Sequence, residues 1–227
     1  MLKKVMLFCA VAFLFFLCTS VLAQDKSPDS STIIHDSNRT IYEKLVIKIN
    51  SEQEMDSCKA SPNYQRFAFV LSTGRKGSVY VDGKKRFGDK RYVMVDGNEG
   101  KLYDDISKSS LIFSPDSKHL AYVAIHQDYK KGHNWCVVLD EVESNLYHDI
   151  DESSLTYSPD SDHLAYVAKL STKWYVVIDG NIGLGYDEII PIRGKMINFY
   201  SYDSLSCIVI YLGRRGDKIY LVREGLK

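Results

Sequence analysis

An all-β fold built from four similar units is what this sequence predicts, and three observations predict it. Residues 114–124 (SPDSKHLAYVA) return almost letter for letter 44 positions later, as residues 158–168. A second motif, an apolar run that ends in Asp or Asp-Gly, follows each copy in the same order. No segment between the motifs has helical periodicity. Two motifs that recur in one order at one period indicate a repeat protein.

Degenerate copies of the first motif extend the repeat in both directions. Upstream, Ser-Pro-Asn at 61–63 precedes the apolar run at 67–70, and downstream, Ser-Tyr-Asp-Ser at 201–204 precedes the run at 207–210. The second motif occurs at residues 92–97 (YVMVDG), 136–140 (CVVLD) and 175–180 (YVVIDG). Each of these is followed by a Tyr-x-acid-Ile segment, at residues 103–106, 147–150 and 186–189. The copies therefore start near residues 61, 114, 158 and 201.

Each part of the repeat is typical of a strand or a turn. Ser-Pro-Asp-Ser favours a tight turn, because Pro presets φ and the Ser and Asp side chains can bond nearby backbone amides. Leu-Ala-Tyr-Val-Ala is apolar on both faces, as expected of an inner strand covered on both sides. Asp-Gly after an apolar strand predicts a hairpin with a type I′ turn. The Tyr-x-acid-Ile segment is predicted to be the outer strand. Four-stranded units of this length are the size of propeller blades, so we expect a small β-propeller of about four four-stranded blades.

The pattern Ser-Pro-Asp-x-x-x-Leu-Ala-Tyr-Val resembles the WD-like propeller repeats in the C-terminal domain of TolB-type periplasmic proteins. The resemblance covers about residues 40–227 and is specific for fold but weak for function, because propellers host many activities. The chain has no room for the amino-terminal domain of TolB proteins, so a role in the Tol–Pal system does not carry over. The predicted propeller domain spans residues 39–227.

The two ends of the repeat region predict how a ring closes. The last unit stops within residues 219–225, where its hairpin turn is due, so its outer strand is missing. Residues 42–45 (YEKL) are similar to the Tyr-x-acid-Ile segments, with Tyr first, an acid second and an apolar residue last, and they have no blade before them, so we expect the segment around residues 41–49 to supply that strand. One irregularity remains, because the strand-and-turn unit occurs twice between Gly77 and Gly97. It is either an extra hairpin or a compressed fifth blade, and the hairpin is the preferred interpretation.

The first residues predict export from the cytoplasm. Lys3 and Lys4 precede an apolar run that ends at Leu17, and small residues at 21–23 (VLA) fit a signal-peptidase site. An uncleaved anchor and a lipoprotein modified at Cys18 are the alternatives. Residues 1–23 are thus predicted to be a signal peptide and residues 24–38 a flexible lead-in. The protein is expected to be periplasmic or extracellular, with no stable membrane span after cleavage.

Charge and cysteine usage exclude several classes of protein. The chain has 29 Lys and Arg against 29 Asp and Glu, and this balance does not favour a nucleic-acid partner. Cys58, Cys136 and Cys207 remain after signal cleavage, an odd number that does not fit a disulfide scaffold. By their neighbours, Cys136 and Cys207 are expected to be buried strand residues.

A basic loop face is the predicted ligand-binding surface. The tight turns and Asp-Gly turns emerge on one side of each blade, whereas the longer loops and the links between blades emerge on the other side. That other side is rich in cations: Arg75, Lys76, Lys130, Lys131, Arg193, Lys195, Arg214 and Arg215. The hypothesis is that they bind an acidic protein or an anionic polymer of the cell envelope. The alternative is that they are ordinary solvated loop residues.

Other chemistry-bearing residues favour structural roles. Trp135 and Trp174 occupy equivalent repeat positions, as do His119 and His163, and repeated side chains of this kind usually serve packing. His126 and His133 flank one loop, but no Cys or carboxylate stands at ligand spacing in the sequence, so no metal site is predicted. No nucleophile elbow, zinc-protease motif or phosphate-binding glycine loop occurs. No catalytic residue and no cofactor is therefore assigned.

Three classes of function follow from these predictions. The leading hypothesis is a non-catalytic binding or scaffold propeller that acts through protein–protein or protein–polymer contacts. The second is a propeller-type glycan hydrolase or lyase, which needs carboxylates or histidines at the central axis. The third is a structural module that assembles through strand edges, favoured if the last blade lacks its outer strand.

Overall fold

The computed structural model describes residues 32–36, 39–43, 47–48, 52–73, 78–81, 84–87, 89–128, 132–203 and 206–226. The chain forms two compact units, Met1–Leu45 and Val46–Lys227. In the first unit, β1 (Thr32–Asp36) and β2 (Arg39–Glu43) form an antiparallel hairpin. The predicted signal peptide lies outside the described residues. None of the described residues forms a helix that is long and apolar enough to span a membrane.

Four antiparallel sheets and one small hairpin make up the described part of the second unit. Sheet 1 contains β3 (Met55–Ala60), β4 (Phe67–Ser72), β7 (Arg91–Val95) and β8 (Asn98–Glu99). A separate hairpin of β5 (Ser78–Val81) and β6 (Lys84–Phe87) lies between β4 and β7 in the chain. Sheet 2 contains β9 (Asp105–Ile106), β10 (Ile112–Phe113), β11 (Leu120–Asp128), β12 (Gly132–Leu139) and β13 (Val142–Glu143). Sheet 3 contains β14 (Asp149–Tyr157), β15 (Leu164–Leu170), β16 (Lys173–Ile178) and β17 (Asn181–Tyr186). Sheet 4 contains β18 (Glu188–Ile190), β19 (Asn198–Asp203), β20 (Ser206–Arg215) and β21 (Lys218–Leu226).

The architecture is all-β and propeller-like, as the repeats predict. One repeat corresponds to one sheet, and the irregular stretch before Gly97 is a two-stranded hairpin with its own pairing. The strands with the Leu-Ala-Tyr-Val-Ala sequence, β11 and β15, have Leu, Ala, Tyr, Val and Ala buried along their first five positions. They are thus covered on both faces, which explains why their sequence does not alternate.

The hairpin turns have the predicted geometry. Asp96, Asp140 and Asp179 have φ of 51°, 46° and 50°, and the residue after each also has a positive φ. Two consecutive residues with positive φ are the signature of a type I′ turn, whose twist matches that of the flanking strands. The second turn residue is Gly97 in sheet 1 and Gly180 in sheet 3, but Glu141 in sheet 2.

Glu141 is therefore a site where glycine should stabilise the protein. Its φ of 69° costs a residue with a Cβ about 1–2 kcal/mol, whereas glycine adopts it readily. Because Glu141 is exposed, few packing contacts are lost on substitution. We expect Glu141→Gly to raise the free energy of unfolding by about 1 kcal/mol in urea denaturation. Gly180→Ala, at the equivalent position with φ of 78°, should lower it by a similar amount. A loss of stability in Glu141→Gly would contradict the assignment of the turn.

The prediction that the whole Tyr-x-acid-Ile segment is an outer strand is wrong, because only its tyrosine pairs on the outer side of its own sheet, where Tyr186 is the last residue of β17. The tyrosine pairs with the third strand of its own sheet, as in the Trp135–Tyr147 pair, whereas the isoleucine pairs with the next sheet, as Ile150 does with Ala168. The same division holds for residues 103–106 and 186–189. The true outer strands are β8, β13 and β17, which follow the hairpin turns directly. The segment is thus the link that joins one sheet to the next.

The apolar core consists of clusters between successive sheets. One cluster joins sheets 1 and 2, a second joins sheets 2 and 3, and a third joins sheets 3 and 4. Each contains a tyrosine from the link packed edge-on against a tyrosine of the following sheet: Tyr103 with Tyr122, Tyr147 with Tyr166, and Tyr186 with Tyr211. No cluster of described residues joins sheet 4 to sheet 1, and β2 pairs with β1. Closure of a ring by the segment around residues 41–49 therefore stays a prediction.

Candidate functional site

The side of the molecule with the tight turns is held together by side chains that the repeat supplies. The Ser114 hydroxyl donates to Asp116 at 2.6 Å and accepts from the His119 backbone at 3.0 Å. Ser158 makes the same pair of bonds, to Asp160 and from His163. These acids bind within their own turns, which explains why the pKa of Asp160 lies below its usual range: the Ser158 hydroxyl bonds its charged form.

The repeated histidines and turn aspartates also have structural partners. His119 Nδ1 lies 2.6 Å from Asp140, and His163 Nδ1 lies 2.7 Å from Asp179. In sheet 1 an arginine takes this place, because Arg66 donates to Asp96 at 2.8 Å. The histidine position therefore holds a donor to the hairpin aspartate, in agreement with the structural role expected from the repeat.

On the side with the longer loops, half of the predicted basic residues can be placed. Arg75, Lys76, Lys130 and Lys131 lie outside the described residues. Arg193 and Lys195 are exposed in a tight turn, and no ion pair joins either of them to the described residues. Arg214 and Arg215 are half-buried and engaged: Arg214 pairs with Glu188 at 3.0 Å, and Arg215 stacks on the Tyr186 ring at 4.4 Å.

Acidic residues of the links neutralise other cations on the same side. Lys90 pairs with Asp104, and Lys173 pairs with Asp187 at the equivalent position of sheet 3. Asp187 has a lowered pKa, because Lys173 and the Gly216 amide bond its charged form. Asp56 accepts bonds from Arg91 and Lys108, which hold its pKa below the usual range although burial raises it. The cations here are thus interleaved with acids, which the sequence order did not reveal, and the basic face stays a prediction.

Two shallow cavities lined by described residues lack the features of an active site. A cavity of about 280 Å³ lies beside β3 and β10, which pair with β4 and β11. It is lined by Lys59, Ala60, Ser61, Pro62, Tyr64, Ile112 and Phe113. A second, of about 200 Å³, lies between sheets 1 and 2 and includes Arg66 and Asp140. Ligand pockets usually measure about 300–1,000 Å³ with convergent polar groups. The cavity beside β3 and β10 has no carboxylate in its lining.

The buried thiols do not fit a nucleophilic role. Cys136 and Cys207 are buried, as expected, and the three described cysteines form no disulfide. Burial raises the pKa of Cys136 to about 12, with a further contribution from Glu143. A thiol with this pKa is protonated at neutral pH and is a poor nucleophile.

The long edge strand β21 is a feature that sequence reasoning identified only in part. It pairs with β20 over nine residues, from Cys207–Leu226 to Arg215–Lys218, and with no other described strand. Its large apolar side chains are exposed: Ile219 (61%), Tyr220 (41%) and Leu221 (55%). By register, Ile219 and Leu221 lie on the face of sheet 4 opposite to that of the buried Val209 and Tyr211. Within the described part of the chain, sheet 4 thus presents a free strand edge together with an apolar outward face.

Comparisons with known proteins give only a distant structural likeness. No family model matches the chain, and no curated protein matches it. Among solved structures, it is similar to prolyl oligopeptidase B from Galerina marginata bound to a 35mer hydrolysis and macrocyclization substrate. The two chains are 14% identical, the match covers 83% of this chain and 32% of that chain, and the TM-score is 0.37. It is also similar to a second mutant of that protein bound to a 25mer macrocyclization substrate, with 15% identity, coverage of 82% and 31%, and a TM-score of 0.38. The chain spans about a third of the length of these structures.

Proposed function

We propose that this protein is a non-catalytic binding propeller that acts outside the cytoplasm and holds an extended segment of a protein partner along β21. The observation that carries the proposal is the apolar edge of β21, which pairs with no described strand other than β20. A strand edge offers a row of backbone N–H and C=O groups, and proteins use such edges to bind peptides by strand addition. The export signal expected in residues 1–23 supports the location.

The outermost strands of the other sheets are poorer edges for strand addition. β8 and β13 have two residues each, and β17 contains Gly183 and Gly185, which weaken a strand. Short or interrupted edges are a common protection against unwanted pairing. β21, in contrast, has nine residues and no proline. An edge of this length usually has a partner, and an added strand would take the position along β21 that is otherwise predicted for the segment around residues 41–49.

The side chains of β21 favour a particular kind of partner segment. Ile219 and Leu221 can contact apolar residues that alternate along an added strand. Lys218 and Arg223 provide positive charge along the same strand, whereas Glu224 is occupied by the Tyr211 hydroxyl at 2.6 Å. The partner segment is therefore an extended stretch with apolar residues near Ile219 and Leu221 and acidic residues near Lys218 and Arg223. This partner also matches the acidic protein expected from the cationic loops.

Site-specific photo-crosslinking in the cells that make the protein tests this proposal. The photoreactive residue p-benzoylphenylalanine replaces Tyr220 on β21 or, as a control, Tyr64, which is similarly exposed (52%) on the tight-turn side. We expect one predominant protein adduct from position 220 and none from position 64. The adduct should disappear when Ile219→Lys and Leu221→Lys are added, because two lysines remove the apolar contacts.

A third variant separates the edge from the basic loops. Arg193→Ser with Lys195→Ser removes two exposed cations and leaves β21 unchanged. An adduct that survives Ile219→Lys and Leu221→Lys but disappears in this variant and at higher salt would refute binding along β21 and favour the loop face. Equal adducts from positions 220 and 64, or none from either, would refute a specific binding role.

A further inference from the structure

Three side chains of different metal-ligating types converge within sheet 2. The Nε2 atom of His126, the thiol of Cys136 and the carboxylate of Glu143 each offer one ligand atom, and these atoms lie within 4.8 Å of one another. His126 Nε2 and Glu143 Oε1 are 3.5 Å apart. Cys136 is fully buried, and the other two are half-buried. Sequence spacing did not predict this cluster, because its members come from three strands.

The strand register explains how they meet. Cys136 on β12 lies opposite Ala124 on β11, and His126 is two residues further along β11, so both side chains leave the same face. Glu143 on β13 lies opposite Val138, which is two residues beyond Cys136 on β12. The three ligands therefore project from neighbouring strands toward the cluster between sheets 1 and 2.

The other repeats show that the fold does not require these residues. At the position of Cys136 the equivalent strands of sheets 1, 3 and 4 have tyrosine: Tyr92, Tyr175 and Tyr220. At the position of His126 they have Thr73, Leu170 and Arg215. The position of Glu143 holds Glu99 in sheet 1 and Ile182 in sheet 3. Among the described sheets, only sheet 2 combines an imidazole, a thiol and a carboxylate at these positions. A packing requirement shared by all the sheets does not explain this combination.

A buried tyrosine lies beside the cluster. Tyr103 is 1% exposed, and its hydroxyl interacts with the Glu143 carboxylate. Its ring lies edge-on to the His126 ring, with centroids 5.4 Å apart. The Tyr103 hydroxyl is thus a further polar group next to the three possible ligands.

We propose that His126, Cys136 and Glu143 bind a zinc ion. Nitrogen, sulfur and oxygen ligands of this kind are those that Zn²⁺ takes in proteins, and three protein ligands leave the fourth tetrahedral position for water or the Tyr103 hydroxyl. Zinc–ligand bonds of about 2.0–2.3 Å require the ligand atoms to close to roughly 3.5 Å from one another. When zinc binds the sulfur, the thiol proton is released to solvent. The Lys101 amine lies 2.7 Å from Glu143 and must rotate away, which its exposed side chain permits.

Calorimetric titration of the metal-stripped protein with ZnCl₂ tests the site, with Co²⁺ as a spectroscopic probe of thiolate ligation. We expect one equivalent to bind, with a sulfur-to-cobalt charge-transfer band for Co²⁺. Cys136→Ser and His126→Leu should each lower the zinc affinity by at least about 100-fold, since even the loss of a partner of a ligand costs roughly 10–100-fold. His126→Leu introduces the residue that sheet 3 has at the equivalent position, Leu170, so this variant should fold. If Cys136→Ser fails to fold, His126→Leu alone tests the site.

Matched controls come from residues of the same types elsewhere in the chain. His119→Gln and Cys207→Ser should bind zinc as the natural protein does, because neither lies in the cluster. Zinc should raise the melting temperature of these controls and of the natural protein, but not that of His126→Leu. The absence of a saturable single equivalent, or equal affinity in His126→Leu and His119→Gln, would overturn the proposal. This outcome is independent of the crosslinking at β21.

Discussion

Replacing Tyr147 by alanine is expected to lower the free energy of unfolding by about 4 kcal/mol, the usual cost of removing a buried aromatic ring. Tyr147 is 1% exposed and belongs to two sheets at once. Its backbone makes two hydrogen bonds to Trp135, of 2.8 and 2.9 Å, and its ring packs against Tyr166 with centroids 5.8 Å apart. Truncation leaves a cavity between sheets 2 and 3. Equilibrium urea denaturation of the purified protein measures the effect.

Tyr147→Phe is the matched control for this prediction. It keeps the ring and removes only the hydroxyl that lies 3.2 Å from the Tyr166 hydroxyl, so we expect a loss of about 1 kcal/mol. Both variants should retain a single unfolding transition, because the ring is shared between sheets. A loss below about 1.5 kcal/mol for Tyr147→Ala would show that the link tyrosines are not a major source of stability.

Gly213→Ala is the second substitution with a large expected effect, a loss of about 2–3 kcal/mol from overpacking. A Cβ at Gly213 would lie 2.6 Å from Cγ of the buried Tyr186, far inside van der Waals contact. Arg215 stacks on the same ring at 4.4 Å, which restricts its movement. Thermal and urea denaturation of the variant measure the loss.

Gly225→Ala controls for a general effect of replacing glycine in sheet 4. A Cβ there meets no atom within 4 Å, and the φ of Gly225 is not positive, so we expect a change below about 0.5 kcal/mol. Tyr186→Leu combined with Gly213→Ala should cost less than the sum of the two single changes, because the smaller side chain relieves the clash. Additive losses would refute the steric explanation.

The repeat explains why so much of the fold could be predicted. Each strand with Leu-Ala-Tyr-Val-Ala and each Asp-Gly turn depends on residues close in sequence, so the local pattern determines the local structure. The pairing of His119 with Asp140 follows from the same logic. The link was assigned wrongly, because Tyr147 and Ile150 are three residues apart yet pair with different sheets, and no local pattern shows where one sheet ends.

The functional surfaces could be predicted less well, because they arise where the repeat is broken. His126, Cys136 and Glu143 lie on three successive strands, 10 and 7 residues apart, and meet only through strand register. Comparison of the copies contains the signal, since Cys136 stands where Tyr92 and Tyr175 are found. The interleaving of cations and acids on the loop side, as at Arg91 and Asp56, depends on contacts between sheets that the order of residues does not reveal.

Each link is divided between two sheets, and this division affects how a gene that encodes these repeats can gain a further repeat. A tandem duplication of one 44-residue period, wherever its boundaries fall, copies one link and one set of strands. The inserted copy receives the isoleucine of the preceding copy's link and passes the isoleucine of its own link to the next copy, while each link tyrosine pairs within its own sheet. Every junction is therefore compatible at once, without new contacts having to evolve. We therefore expect a repeat of this kind to gain a sheet by a single tandem duplication, after which a substitution in one copy, as at Cys136, can make that copy differ from the others.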